Sequence, residues 1–115
     1  MRLVSESEKI SLEELKEMSK NMFGDLVKAV VDSERGIMVV DAAMHSDQEI
    51  FLLESGSLQH NLWGINIHPN THEENWIEFD SMINLRPSFG NKSRGVEDIK
   101  TQAIIKNIVT RLVKK

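Results

Sequence analysis

Two short runs constrain this chain more than anything else in it: Leu26-Val27-Lys28-Ala29-Val30-Val31-Asp32 and Gly36-Ile37-Met38-Val39-Val40-Asp41. Both are apolar and rich in β-branched residues at nearly every position. Ser33-Glu34-Arg35-Gly36 between them is a turn of hairpin length that contains Gly. A strand with one wet face alternates polar and apolar residues. A strand apolar throughout has both faces covered. The pair therefore predicts central strands with other elements packed on both sides. Asp32 and Asp41 close the two runs, where a carboxylate stays wet or serves the turn.

The remaining segments supply those other elements. Residues 1–4 read as a short edge strand. Ser11 and Glu14 have the spacing of a capping box, in which hydroxyl and carboxylate each bond the other residue's backbone N–H. Leu12, Leu15, Met18, Met22 and Phe23 follow at helical spacing as a core face, and Gly24 is a natural stop. Ser46-Asp47-Gln48-Glu49 repeats the capping pattern and predicts a short helix over 47–55. Leu62 to His68 alternates as a strand with one strongly apolar face. Gly64 inside it marks a bulge or a close backbone approach. Trp76 to Ile83 predicts the next strand. Asp98 then caps a last helix running to about Leu112, with Ile104, Ile105, Ile108, Val109 and Leu112 as its apolar stripe. The expectation is one α+β domain over 1–115. A mostly antiparallel sheet of four to five strands packs with three helices in the order (β)αββαββα.

Composition narrows the function classes. A chain of 115 residues can bury a core without staples. Cysteine is absent, which removes disulfides and thiolate sites and fits a reducing compartment. The first residues lack the apolar stretch of a signal peptide, and no apolar run approaches the roughly 20 residues of a membrane span. The net charge of -4 argues against broad nucleic-acid or anionic-membrane binding. A cytoplasmic protein without cofactor, membrane or nucleic-acid partner is expected.

Within that acidic chain, Asn84-Leu85-Arg86-Pro87-Ser88-Phe89-Gly90-Asn91-Lys92-Ser93-Arg94-Gly95 carries three cations and no acid. Its turn pairs Gly90-Asn91 and Arg94-Gly95 permit positive φ and can aim successive N–H groups into one concavity. Arg86 and Arg94 offer planar forks for phosphate or carboxylate, and Asn91, Lys92 and Ser93 add donors. The loop thus reads as a site for a small anionic ligand built from Arg86, Asn91, Lys92, Ser93 and Arg94. It lacks the phosphate-loop order Gly-x-x-x-x-Gly-Lys-Ser/Thr. The competing reading makes it a clasp whose arginines bind the chain's own acids, such as Asp80, Glu97 or Asp98. Two further classes stand beside these. Glu78 and Asp80 on one strand face, with His45, are candidates for acid/base or metal chemistry. An exposed Trp63 or Trp76, or an open sheet edge, would instead mark an interaction module such as a homodimer.

Several segments together carry a resemblance: Leu26 to Asp32, Arg35-Gly36-Ile37-Met38, Leu52 to Ser57, Leu62 to Ile67, and Phe79 to Ser88. With them the chain resembles a small prokaryotic domain family of unknown function, made of short stand-alone proteins. The resemblance covers most of the chain and implies a single-domain cytosolic protein, with no catalytic residue to carry over. One departure lies at Ile99, where similar sequences often place Pro after the acid at the position of Asp98.

Overall fold

The computed structural model describes residues 1–115. In chain order it comprises β1 (Arg2–Val4), β2 (Ile10–Ser11), α1 (Leu12–Asn21), β3 (Val27–Asp32), β4 (Ile37–Val40), α2 (His45–Glu54), β5 (Leu62–Ile67), β6 (Ile77–Glu78), α3 (Ile99–Leu112) and β7 (Val113–Lys114). One sheet runs in the order β1-β4-β3-β5-β6, with every neighbouring pair antiparallel. β2 and β7 form a separate parallel pair that the hydrophobic pattern does not announce. The architecture is α+β with three helices, as the pattern predicts.

β3 and β4 lie inside the sheet, and both of their faces are covered. Val27, Ala29 and Val31 join a core with Leu15 of α1 and Ile105, Ile108, Val109 and Leu112 of α3. Val30 and Val39 point the other way, to Leu52 of α2 and Leu62 of β5. Each buried Val, Leu or Ile among them contributes about 1.5–3 kcal/mol relative to exposure. Burial on both faces is why the two runs fail to alternate. Asp32 is fully buried rather than wet. Its Oδ1 accepts from the backbone N–H groups of Glu34 and Arg35, both at 2.9 Å, and so shapes the hairpin turn.

The Ser11–Glu14 capping box forms in both directions. α1 then ends at Asn21, three residues before Gly24, whose N–H closes the end on the Ser19 carbonyl at 2.6 Å. Met22 and Phe23 therefore lie beyond the buried stripe and are exposed. At α2 the expected start is corrected. The helix begins at His45, its N-cap is Met44, and no side chain caps it. Tertiary bonds set this start. The His45 ring donates from Nε2 to the Ile65 carbonyl at 2.7 Å, and Gln48 donates from Nε2 to the Lys28 carbonyl at 2.8 Å. Both bonds bind the first turn to the sheet, which outweighs the local preference of Ser46.

The strand expected over 76–83 contracts to Ile77–Glu78. After Asp80 the chain turns inward across the α2 side of the sheet. The Ser81 N–H donates to the Arg94 carbonyl at 3.0 Å, and its hydroxyl caps the short helical turn Met82–Asn84. The crossing is possible because β5 carries Gly64 at that point. A Cβ on Gly64 would lie 2.5 Å from the Ser81 Oγ and 2.6 Å from its Cβ. The close backbone approach read from the sequence is this contact.

Candidate functional site

β6 pairs with β5 only at Asn66 and Ile67, leaving the same edge of β5 open further back. Two side chains from the following segment close it. Asn84 accepts at Oδ1 from the Gly64 N–H at 2.8 Å and donates from Nδ2 to the Gly64 carbonyl at 2.9 Å. Arg86 donates from Nη2 to the Leu62 carbonyl and from Nε to the Ile83 carbonyl. The Arg86 guanidinium also stacks 4.6 Å above the Trp63 ring. Burial lowers the pKa of Arg86, with the nearby Glu49 carboxylate opposing the shift. Arg86 is thus held by backbone carbonyls and an aromatic face.

The loop is organised from within by Asn91, which is 5% exposed. Its Nδ2 donates to the carbonyls of Asn84, Ser93 and Gly95, and its Oδ1 accepts from the Glu97 N–H at 2.9 Å. Ser93 accepts at Oγ from the Gly95 N–H, and the Lys92 N–H donates to the Glu97 carboxylate at 2.6 Å. Arg94 donates from Nε to the Asp80 carboxylate at 2.6 Å, an ion pair exposed on both sides. The five residues expected around an anion are therefore dispersed. Arg86 lies on the β5 edge, Asn91 and Ser93 serve the loop's own backbone, and the Lys92 side chain is exposed.

Arg94 alone of the five lines a cleft of about 310 Å³ on the α2 side of the sheet. Its floor holds Lys28 of β3 and Asn66 of β5, which face each other across the strand register. The first turn of α2 forms one wall, from Met44 to Ser46, and the segment Asp80–Ile83 forms the other. His45, Asp80 and Arg94 thus meet in one place although they are distant in sequence. Glu78 stands outside this cleft. Its carboxylate accepts from Asn66 Nδ2 at 3.0 Å and contacts His68 Nε2 at 3.1 Å. No group of three His, Cys, Asp or Glu side chains is placed to hold a metal ion.

His45 is 8% exposed. Burial pushes its pKa down, and the cations Lys28 and Arg94 push the same way. The Ile65 carbonyl and the Asp80 carboxylate oppose them. A neutral ring that donates from Nε2 carries its lone pair on Nδ1.

Neither tryptophan is exposed. Trp76 is 3% exposed in the main core, and Trp63 lies beneath Arg86. A larger groove of about 600 Å³ runs between the 72–79 segment and α3. Of the three buried side-chain atoms left without a partner, on Asp32, Gln48 and Asn66, none borders that groove, whereas Asn66 lines the smaller cleft.

Sequence reasoning missed Lys28, Asn66 and Asn84. Lys28 had a signal, as the single cation inside an apolar run. Asn66 shares its strand face with Leu62 and Gly64, so its place beside the Gly64 crossing was implicit in the alternation. Nothing local marks Asn84 as the partner of Gly64.

A five-stranded antiparallel sheet with α1 and α3 on one face and α2 on the other defines the class of protein. The chain belongs to a family of proteins of unknown function, DUF5674, whose model matches residues 4–112. No curated protein and no solved structure matches it significantly. No helix is long and apolar enough to cross a membrane.

Proposed function

We propose that this protein binds a small anionic molecule in the cleft between the start of α2 and the segment 80–94. One observation carries the reading: Lys28, Arg94 and the uncapped first turn of α2 converge on a single cleft. Two cations there face one carboxylate, Asp80. The first N–H groups of α2 have no side-chain cap, and the helix dipole favours negative charge at that end. Asp47 in the same turn answers part of that dipole. Arg94 is tethered to Asp80 through Nε, so its two Nη groups remain for a ligand. The basic loop enters the reading through Arg94, while Asn91 holds the backbone on either side of it through the Ser93 and Gly95 carbonyls.

A thermal-shift series with inorganic phosphate, sulfate and small carboxylates tests this. A ligand at about 100 times its Kd adds about 2.7 kcal/mol of apparent stability, which is a rise of roughly 10 °C for a domain of this size. Arg94→Ala and Lys28→Met are expected to abolish the shift, and Lys92→Ala to leave it intact. A shift that survives Arg94→Ala, or that disappears with Lys92→Ala, would count against the cleft.

A further inference from the structure

His45 stands in the cleft with one ring nitrogen committed and the other open. Its Nε2 lies 2.7 Å from the Ile65 carbonyl, which can only accept, so Nε2 carries the proton. Nδ1 of the neutral ring is then a bare acceptor. It has no partner in the protein, yet it is not among the buried unpaired atoms, which belong to Asp32, Gln48 and Asn66. Nδ1 therefore reaches solvent, although the residue as a whole is only 8% exposed. His45 lines the cleft, and its remaining surface opens there. The Ile65 carbonyl holds one side of the ring, and the bare Gly64 backbone lies against its Cγ.

We propose that the cleft takes its anion together with a proton, held between His45 Nδ1 and a ligand oxygen. The proposal rests on the anion reading above. A fully ionised anion presents only lone pairs, and so does Nδ1. Two acceptors that face each other need a proton between them, brought by the ligand or taken from solvent by the ring. The charges around His45 favour that uptake once an anion is present. Burial, Lys28 of β3 and Arg94 of the 80–94 segment hold the ring neutral, while the Ile65 carbonyl and Asp80 oppose them. A bound anion offsets the two cations and sets an opposite charge beside the ring, which favours the imidazolium. Three other acids lie nearby, and none is among the groups that act on the ring. Glu49, one turn along α2, opposes the shift of Arg86. Glu78 is bonded to Asn66 and His68 outside the cleft, and Asp47 is exposed. The imidazolium donates from both nitrogens, from Nε2 to the Ile65 carbonyl and from Nδ1 to the anion. The ligand class is therefore an oxyanion, a carboxylate or a phosphate ester, that is held more tightly in acid.

Sulfate and acetate are the probes, because neither holds a proton of its own between about pH 6 and 8. Titration calorimetry on the full chain, repeated in buffers of different ionisation enthalpy, counts the protons that accompany binding. At least one of the two anions is expected to take up about one proton near pH 6.5 and to bind about tenfold tighter at pH 6 than at pH 8. His45→Gln is expected to abolish both effects, and His68→Gln to leave them intact. Should His45→Gln fail to fold, the ring nitrogen chemical shifts of the unmodified protein decide. On adding the anion at about pH 6.5, His45 Nδ1 is expected to change from a bare nitrogen to a protonated one. Binding without proton uptake, or uptake that survives His45→Gln, would overturn the proposal and leave the anion reading standing. If neither anion binds at any pH, the anion reading falls and the proposal with it.

Discussion

Gly64 has no side chain, and the segment after β6 depends on that. Ser81 sits against the Gly64 backbone, and the His45 ring would be 3.2 Å from a Cβ placed there. Gly64→Ala adds one methyl group to a space that holds none, which costs about 1–3 kcal/mol. Removing the opposing side chain with Ser81→Gly is expected to recover part of that loss. The double variant would thus be more stable than the sum of the single changes. Urea unfolding of the four proteins measures the coupling. Strict additivity would show that the contact is relaxed at no expense. The same logic separates the two arginines of the basic loop. Arg86 has a carbonyl, a second carbonyl and an indole face as neighbours, so its removal acts on stability. Arg94 has one exposed carboxylate, so its removal acts chiefly on binding.

The helices show how far local signals reach. At α1 the capping box, the acidic first turn and the apolar spacing agree, and the helix starts where the sequence says. Arg2 of β1 adds a bond from outside the helix, donating to the Glu14 carboxylate at 2.9 Å. With that bond and the Ser11 N–H, the Glu14 pKa falls from 4.5 to about 2. A carboxylate whose folded pKa is depressed stabilises the fold above its unfolded pKa, and loses that contribution as pH falls through the folded value. Stability is therefore expected to decline between about pH 4.5 and 2, and Glu14→Gln to flatten that part of the profile. Acid titration followed by circular dichroism gives the comparison. An unchanged profile would assign the acid response to other groups. At α2 the capping pattern was present in Ser46 and Glu49, yet the helix starts earlier. His45 and Gln48 reach the sheet, and such long-range bonds leave no periodicity in the sequence. The strand at Trp76 to Ile83 was misread for a related reason. Its alternation is genuine, but after Glu78 the chain leaves the sheet: Phe79 packs on the main core, Asp80 pairs with Arg94, and Met82–Asn84 form a short helical turn. Central strands, caps and apolar stripes were legible because each is a local pattern. The cleft was legible only as separate residues, His45, Asp80 and Arg94, since their meeting depends on the crossing at Gly64.

Over the whole molecule, α2 and the 80–94 segment are held together across the sheet, and His45 stands where they meet. Burial holds the ring's pKa below its usual value in the folded protein; Lys28 and Arg94 push the same way, and the Ile65 carbonyl and Asp80 oppose them. Above an unfolded pKa of 6.5 both states hold the neutral ring, and this part of the stability is intact. As pH falls below 6.5 the unfolded chain takes up a proton that the folded ring resists, so stability drops until the lowered folded pKa is passed. Urea midpoints measured from pH 8 to 5 are expected to fall on the acid side, and His45→Gln to reduce that slope. A slope unchanged by the substitution would remove His45 from the account.

The closure of β5 by Asn84 and Arg86 has one more consequence. An open strand edge is a template on which other chains can pair. Here the outward-facing backbone groups of Leu62 and Gly64 are covered by two side chains rather than by a strand, and side chains can be lost one at a time. Loss of Asn84 and Arg86 would uncover that stretch while β3, on the inner side, kept it extended. A chain lacking both is expected to aggregate more readily than its loss of stability alone would explain.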